Sequence, residues 1–380
     1  MTAKTLFGFE DLLAKELRDL GAQEVEAGVR VVSFEGDLGF MYKANLCVRT
    51  AIKILKPIKS FKVKNEKDLY NQIYKMSWSK YMSVDKTFAI DATIHSELFS
   101  HSKYIAQKTK DAIADKFRNN GGVRPNVDIK FPDLRINIHI DRDNCTVSLD
   151  SSGQSLHKRG YKTATNIAPI NEVLAAGLIM LSGWDGRSDF MDPMCGSGTI
   201  LAEAAMIACN IPANLNRKEF AFEKWQDWDV DLYEKIEDSC LKKIRGFDHK
   251  ITGYDKSPSA VKKAQENIKN ANLEDFVTIK HEDFFKTQKG GEATLHMVFN
   301  PPYGERLDID MEEFYAQIGR TLKLSYAGTN AWMITSNLEA LKHVGLRPSR
   351  KIKLFNGKLE SKFVKYEMYA GSKKAKKQQA

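Results

Sequence analysis

The sequence predicts an α/β chain in two parts, a small α+β half followed by a doubly wound α/β domain. Three observations lead to this. From Asn166 onward, strand and helix patterns alternate to the end of the chain. A glycine-rich turn, Pro193 to Thr199, joins a short apolar strand to an apolar helix. Acidic residues then recur just after strands, at Asp192, Asp255 and Asp283.

The 380 residues are 42% hydrophobic and 28% charged, an ordinary globular balance that suggests two or three domains. No apolar run is long enough to cross a membrane as a helix, and Met1 to Glu10 lacks a basic-then-apolar leader pattern. A cytoplasmic protein with no membrane contact is expected. Lysine and arginine number 58 against 49 acidic residues, a net charge of +9 that favours a polyanionic partner such as nucleic acid. The five cysteines are scattered with no C-x-x-C pair, which argues against a disulfide framework or a metal site and for reduced, buried thiols.

The first half reads helix, strand, helix, strand. Leu12, Leu13, Leu17 and Leu20 share a helical face that Gly21 ends. Val29 to Phe34 is a strand, Leu38 to Cys47 a helix and Ile52 to Ile58 a strand. Phe88 to Ile94 alternates as a strand. Tyr104 to Asn119 is a helix with an apolar stripe at Ile105, Ala112, Ile113 and Phe117, closed by Gly121-Gly122. Leu134 to Ile140 and Cys145 to Leu149 form a hairpin. Lys53, Lys56, Lys59 and Lys62, with Lys103 and Lys108 on the later helix, make a surface suited to phosphates. Ser151 to Thr165 reads as a polar interdomain linker containing His157, Arg159 and Gly160. His157 and Arg159 would contact RNA or a cofactor, or lock the linker.

In the second half, Cys195, Gly196, Ser197, Gly198 and Thr199 form the turn, and the missing side chains of Gly196 and Gly198 let a ligand approach the backbone. Leu201 stands where a dinucleotide motif has its third glycine, and the lysine of a phosphate loop is absent. An uncharged or zwitterionic adenosyl ligand fits better than a polyphosphate. Asp192 would receive the ammonium of a methionine moiety, directly or through water. Asp255 would accept ribose hydroxyls, Asp283 the adenine amino hydrogen, and Phe284 would pack on the ring. Cys195 lies in the loop without a histidine placed beside it, so a buried thiol is favoured over a nucleophile.

Leu295 to Phe299 is the fourth strand and runs into Asn300-Pro301-Pro302-Tyr303. The Asn300 side-chain oxygen and the Pro301 carbonyl can hold both hydrogens of a conjugated amino group and turn its lone pair toward a methyl donor. Pro302 stiffens the loop and Tyr303 can stack on a base. Met311 to Leu324 is a helix and Asn330 to Thr335 a strand. Arg350 to Phe355 and Phe363 to Tyr369 flank the Asn356-Gly357 hairpin signal, which completes seven strands. The segment from Asn210 to His249 is an insertion in which Trp225 and Trp228 pack or contact RNA. A lysine-rich tail from Ser372 is expected to be disordered.

These motifs resemble class I S-adenosylmethionine-dependent methyltransferases, and more narrowly the THUMP-domain RNA guanine-N2 methyltransferases. The resemblance is carried by Gly8 to Leu13, Arg124 to Asp128, Leu156 to Tyr161, Asp192 to Thr199 and Asn300 to Leu307. It implies a ferredoxin-like segment at 1–44, a THUMP RNA-binding domain at 45–155 and a methyltransferase domain at 156–371. It also implies that Asn166, Pro169 and Ile170 lie near the cofactor, that Asn300 borders it, and that the substrate is 23S ribosomal RNA. Larger members carry a second methyltransferase domain, which is not expected here. The alternatives are a transfer-RNA guanine-N2 enzyme, a DNA adenine or protein glutamine methyltransferase sharing Asn-Pro-Pro-Tyr, and a non-catalytic RNA-binding assembly factor.

Overall fold

In the computed structural model, which describes residues 1–164, 170–302 and 310–369, each half of the chain is built on its own seven-stranded sheet. The first half runs β1 (Thr2–Thr5), α1 (Glu10–Leu20), β2 (Gln23–Gly28), β3 (Val31–Glu35), α2 (Leu38–Cys47), β4 (Ala51–Lys62), α3 (Glu66–Tyr74), β5 (Phe88–His95), α4 (Ser102–Gly121), β6 (Leu134–Asp141) and β7 (Asn144–Asp150). Its strand order is β2-β3-β1-β4-β7-β6-β5, with β4 paired to β1 on one side and to β7 on the other. α1 buries Leu13, Ala14 and Leu17 and ends where Gly21 takes a left-handed φ of 108°. Asp37 caps α2 by accepting the Phe40 N–H.

Three elements of this half escape the sequence patterns. β1 is four residues long, too short to display alternation. β2 lies at the sheet edge with almost every side chain exposed, so no apolar period marks it. α3 buries only Leu69 and Ile73. The division expected between residues 44 and 45 falls inside α2. The expected linker is not a solvated tether: Leu156, Arg159 and Tyr161 are fully buried.

The second half runs α5 (Glu172–Ser182), β8 (Asp189–Asp192), α6 (Thr199–Ala208), α7 (Val230–Leu241), β9 (Ile251–Asp255), α8 (Pro258–Asn270), β10 (Val277–His281), β11 (Leu295–Phe299), α9 (Met311–Ser325), β12 (Thr329–Thr335), β13 (Arg350–Asn356) and β14 (Leu359–Glu367). The order is β10-β9-β8-β11-β12-β14-β13. The first five of these strands are parallel, and β14 is antiparallel to both its neighbours. The order reverses between β8 and β11, which places a crevice at their carboxyl ends. Ser257 caps α8 with Pro258 in its first turn, as its sequence signals. The final hairpin begins its second strand at Leu359, earlier than Phe363. Leu359 is exposed, and the inward position is filled by a serine, Ser361, whose hydroxyl meets that of Ser336.

The halves share a core. Phe9 of the first half packs against Gly177 in α5, where a Cβ would stand 2.1 Å from the ring. The 210–249 insertion folds back onto α2. Tyr42, Phe222, Trp228 and Tyr233 form one aromatic cluster, and Trp225 is buried in the same core, so both tryptophans pack. No described helix is long and apolar enough to cross a membrane.

Candidate active site

β8 and β11 are hydrogen-bonded neighbours in parallel register, Met191 beside Met297. The glycine turn that leaves β8 and the Asn-Pro-Pro that leaves β11 therefore start side by side. The turn is held by its own backbone and by Asp255. Cys195 N–H donates to the Tyr254 carbonyl at 2.8 Å, and Gly198 N–H to the Cys195 carbonyl at 2.8 Å. The Asp255 carboxylate accepts from Gly196 N–H and from Ser257 N–H, each at 2.9 Å. Gly196 and Gly198 take φ of 55° and 79°, which favour glycine. A Cβ on Gly198 would press on Ala264 of α8 at 3.2 Å.

Asp192 is 1% exposed and accepts the Met194 N–H at 3.1 Å. Burial pushes its carboxyl up to about 8; the Met194 N–H opposes this and the nearby Asp255 adds to it. Burial also raises the Cys195 thiol well above its ordinary value, with Asp192 and Asp255 adding to the shift, which leaves it a poor nucleophile. At the end of β11, the Asn300 Oδ1 is buried without a hydrogen-bond partner among the described residues, and Thr199 Oγ1 is in the same condition. Pro301 is buried and Pro302 half-buried. Asp283 uses its carboxylate to cap the turn at Phe285. Phe284 is enclosed by Phe285, Phe299 and Tyr326, so its ring belongs to the core beneath the crevice and presents no open stacking face. Ile170 is buried, and its carbonyl accepts from Lys162 at 2.9 Å. Asn166, Pro169 and Tyr303, like the tail from Ser372, lie outside the described residues.

A positioning residue escaped the sequence reading. Asn267 of α8 is fully buried, and its Nδ2 donates to the Ser197 carbonyl at 2.9 Å and the Ala164 carbonyl at 2.8 Å. Its Oδ1 accepts from Thr163 and Ala164 N–H. It thus ties the glycine turn to the strand of chain entering the domain. The available signal was an asparagine on the apolar stripe of Ala260, Val261, Ala264 and Ile268.

Of the roles open to Arg159, the structure supports locking the linker and not the RNA contact: it is 0% exposed, paired with Glu203 of α6 at 3.3 Å and donating to the Leu156 and Arg49 carbonyls at 2.9 and 2.6 Å. Tyr161 also donates to Glu203. Burial holds Glu203 above the usual carboxylate range, with Arg159 and Arg49 opposing. Arg159 therefore locks the linker to the helix that follows the glycine turn. Of the lysines, Lys53 pairs with Asp150, Lys56 with Asp227 at 2.8 Å and Lys62 with Asp143 at 3.1 Å. Lys59 and Lys103 are exposed, and Lys108 lies 5.5 Å over the Tyr104 ring.

A cavity of about 940 Å³ lies where the halves meet, lined by nine lysines and arginines, of which Lys53, Arg135, Arg159, Lys162 and Lys224 are ion-paired. Lys53 is among its walls, with the exposed Lys130, Lys158 and Lys218. His157, also in the wall, is held neutral because burial lowers it to about 4. Among the described residues no cluster could hold a metal ion.

Comparison with known proteins matches the RlmL ferredoxin-like domain over residues 1–55, the THUMP domain over 63–150 and the RMKL-like methyltransferase domain over 159–365. The chain is 36% identical over 373 residues to the ribosomal RNA large subunit methyltransferase K/L of Syntrophotalea carbinolica, covering 95% of this chain and 52% of that protein. It is 34% identical over 365 residues to slr0064 of Synechocystis sp., covering 95% of each. The chain spans about half the length of the K/L relatives it matches. The crystal structure of SMU.472 complexed with SAH is 29% identical, with a TM-score of 0.85 over 98% of each chain.

Proposed function

We propose, for a chain that belongs to the RMKL-like methyltransferase family, that it methylates the exocyclic N2 amino group of a guanine in RNA, with 23S ribosomal RNA as substrate. S-adenosylmethionine, when bound, supplies an electrophilic methyl group on its sulfonium. The crevice residues suit that cosubstrate. The glycine turn leaves room at the backbone, and Asp192 offers a buried carboxyl for the ammonium of the methionine part.

The observation that carries the reading is the Asn300 Oδ1, a buried acceptor with no partner among the described residues, beside the glycine turn. Such a group costs about 1–3 kcal/mol, relieved when an amino N–H donates to it. Asn300 and the Pro301 carbonyl would hold the two amino hydrogens and point the nitrogen lone pair at the methyl carbon. The proton leaves after transfer, so positioning and electrostatics supply the catalysis. The THUMP match and the cationic cavity support RNA over DNA or protein as substrate. An RNA substrate also favours action in the cytoplasm.

Asn300→Ala should lower methyl transfer to ribosomal RNA by at least about 100-fold while leaving S-adenosylmethionine binding by calorimetry intact. Unchanged turnover removes Asn300 from the chemistry. Nucleoside mass spectrometry of a deletion strain should show one N2-methylguanosine missing from 23S RNA; its loss from transfer RNA would move the substrate.

A further inference from the structure

We propose that Cys47 and Cys240 are a hydroperoxide-oxidisable pair whose disulfide staples the insertion of the second half to the first half. Their sulfurs are 3.4 Å apart, with the Cys47 thiol donating to Cys240, across a sequence separation of 193. Among the described residues this is the one pair of cysteines in hydrogen-bond contact. The sulfurs sit on two helices packed together, Cys47 on α2 and Cys240 on α7. A Cβ on Gly39 of α2 would lie 3.2 Å from Ile236 of α7, and the Tyr42 and Tyr233 rings meet at 6.0 Å. A disulfide needs an S–S distance of about 2.05 Å, so the sulfurs must close by roughly 1.4 Å, a movement within reach of side-chain rotation.

The surroundings divide the roles. The hydrogen bond from Cys47 lowers Cys240; burial opposes this, and Lys43 and Lys243 assist. The same bond, then burial, pushes Cys47 up. In this scheme Cys240, which accepts the Cys47 S–H although it is only 5% exposed, is the attacking thiolate, and Cys47 is the resolving thiol. Cys240 sulfur attacks one oxygen of the hydroperoxide, the O–O bond breaks, and the departing oxygen takes a proton to leave as water or alcohol. Cys240 is then a sulfenic acid. Cys47 gives up its proton, its sulfur bonds to the Cys240 sulfur, and the S–O bond breaks to release water. Two thiols lose two electrons and two protons, and the peroxide is reduced. Cys145 and Cys195 are buried thiols raised by desolvation, without a sulfur partner among the described residues.

The test treats the full chain with hydrogen peroxide, caps remaining thiols and maps peptides without reduction. The Cys47 and Cys240 peptides should appear linked, about 2 Da below their summed masses, and dithiothreitol should separate them. In Cys47→Ser a sulfenate-trapping dione should label Cys240, whereas in Cys240→Ser the label at Cys47 should be lost. The oxidised wild type should melt several degrees above its reduced form. Absence of the linked peptide from wild type, or its formation no faster than any other cysteine pairing, overturns the proposal. Wild type alone decides this if a variant fails to fold.

Discussion

Binding of S-adenosylmethionine should tighten as pH rises from 6 to 8, and Asp192 should be the cause. The carboxyl is buried, its one hydrogen bond among the described residues comes from Met194 N–H, and its midpoint is about 8. At pH 6 roughly one molecule in a hundred then carries the carboxylate, and at pH 7 roughly one in ten. If the cosubstrate's ammonium needs the ionised form, Kd falls about tenfold from pH 6 to 7, less from 7 to 8, and levels above. Calorimetry in buffers of different ionisation enthalpy should also find close to one proton released per ligand at pH 6. The stability of the ligand-free protein has the opposite trend. The folded value lies above the unfolded one of 3.8, so this group's contribution is fully present below 3.8 and is lost as pH rises through about 8. Asp192→Asn should bind weakly with a flat profile and lose that pH dependence of stability. A flat wild-type Kd from pH 6 to 8 with no proton release would refute the reasoning.

Arg159→Met should cost about 3–5 kcal/mol by stranding Glu203 as a buried charge; urea unfolding that moves by less than about 1 kcal/mol would contradict it. Asn267→Ala removes hydrogen bonds to Ser197 and Ala164, so cosubstrate affinity should drop about tenfold. The kcat at saturating cosubstrate should stay near wild type, and a fall in kcat alone would count against a positioning role. Reversing Lys130 and Lys158 to glutamate together should weaken RNA binding and flatten its salt dependence without altering cosubstrate affinity, as filter binding across salt concentrations would register.

The parallel sheet, the glycine turn and the three aspartates were legible because they depend on local chemistry. A strand must end, glycines allow close approach, and the carboxylates that end β8 and β9 hold the backbone of the turn and of the helix that follows. Long-range pairing was not. Arg159 carries the same charge as a phosphate-binding residue, and nothing nearby in sequence says that Glu203, 44 positions on, neutralises it. Lys56 likewise meets Asp227 from the insertion. The cation-rich cavity draws on Lys130, Lys158 and Lys218 from three separate segments, so no single lysine run foretold it. Asn267 was readable in principle, since an amide on an apolar stripe must find buried partners. The polar edge strand β2 was not, because pairing to β3 rather than burial defines it.

Strand β4 has one more consequence. The ferredoxin-like match stops at residue 55 and the THUMP match starts at 63, yet the intervening residues are the same twelve-residue strand. Leu55 is a rung on both sides at once, opposite Thr2 in one direction and Asp150 in the other. The two modules are therefore welded edge to edge rather than strung on a cord. Neither can be excised or exchanged without leaving a raw sheet margin on each piece, and RNA gripped by one would turn the other with it as a single rigid lever.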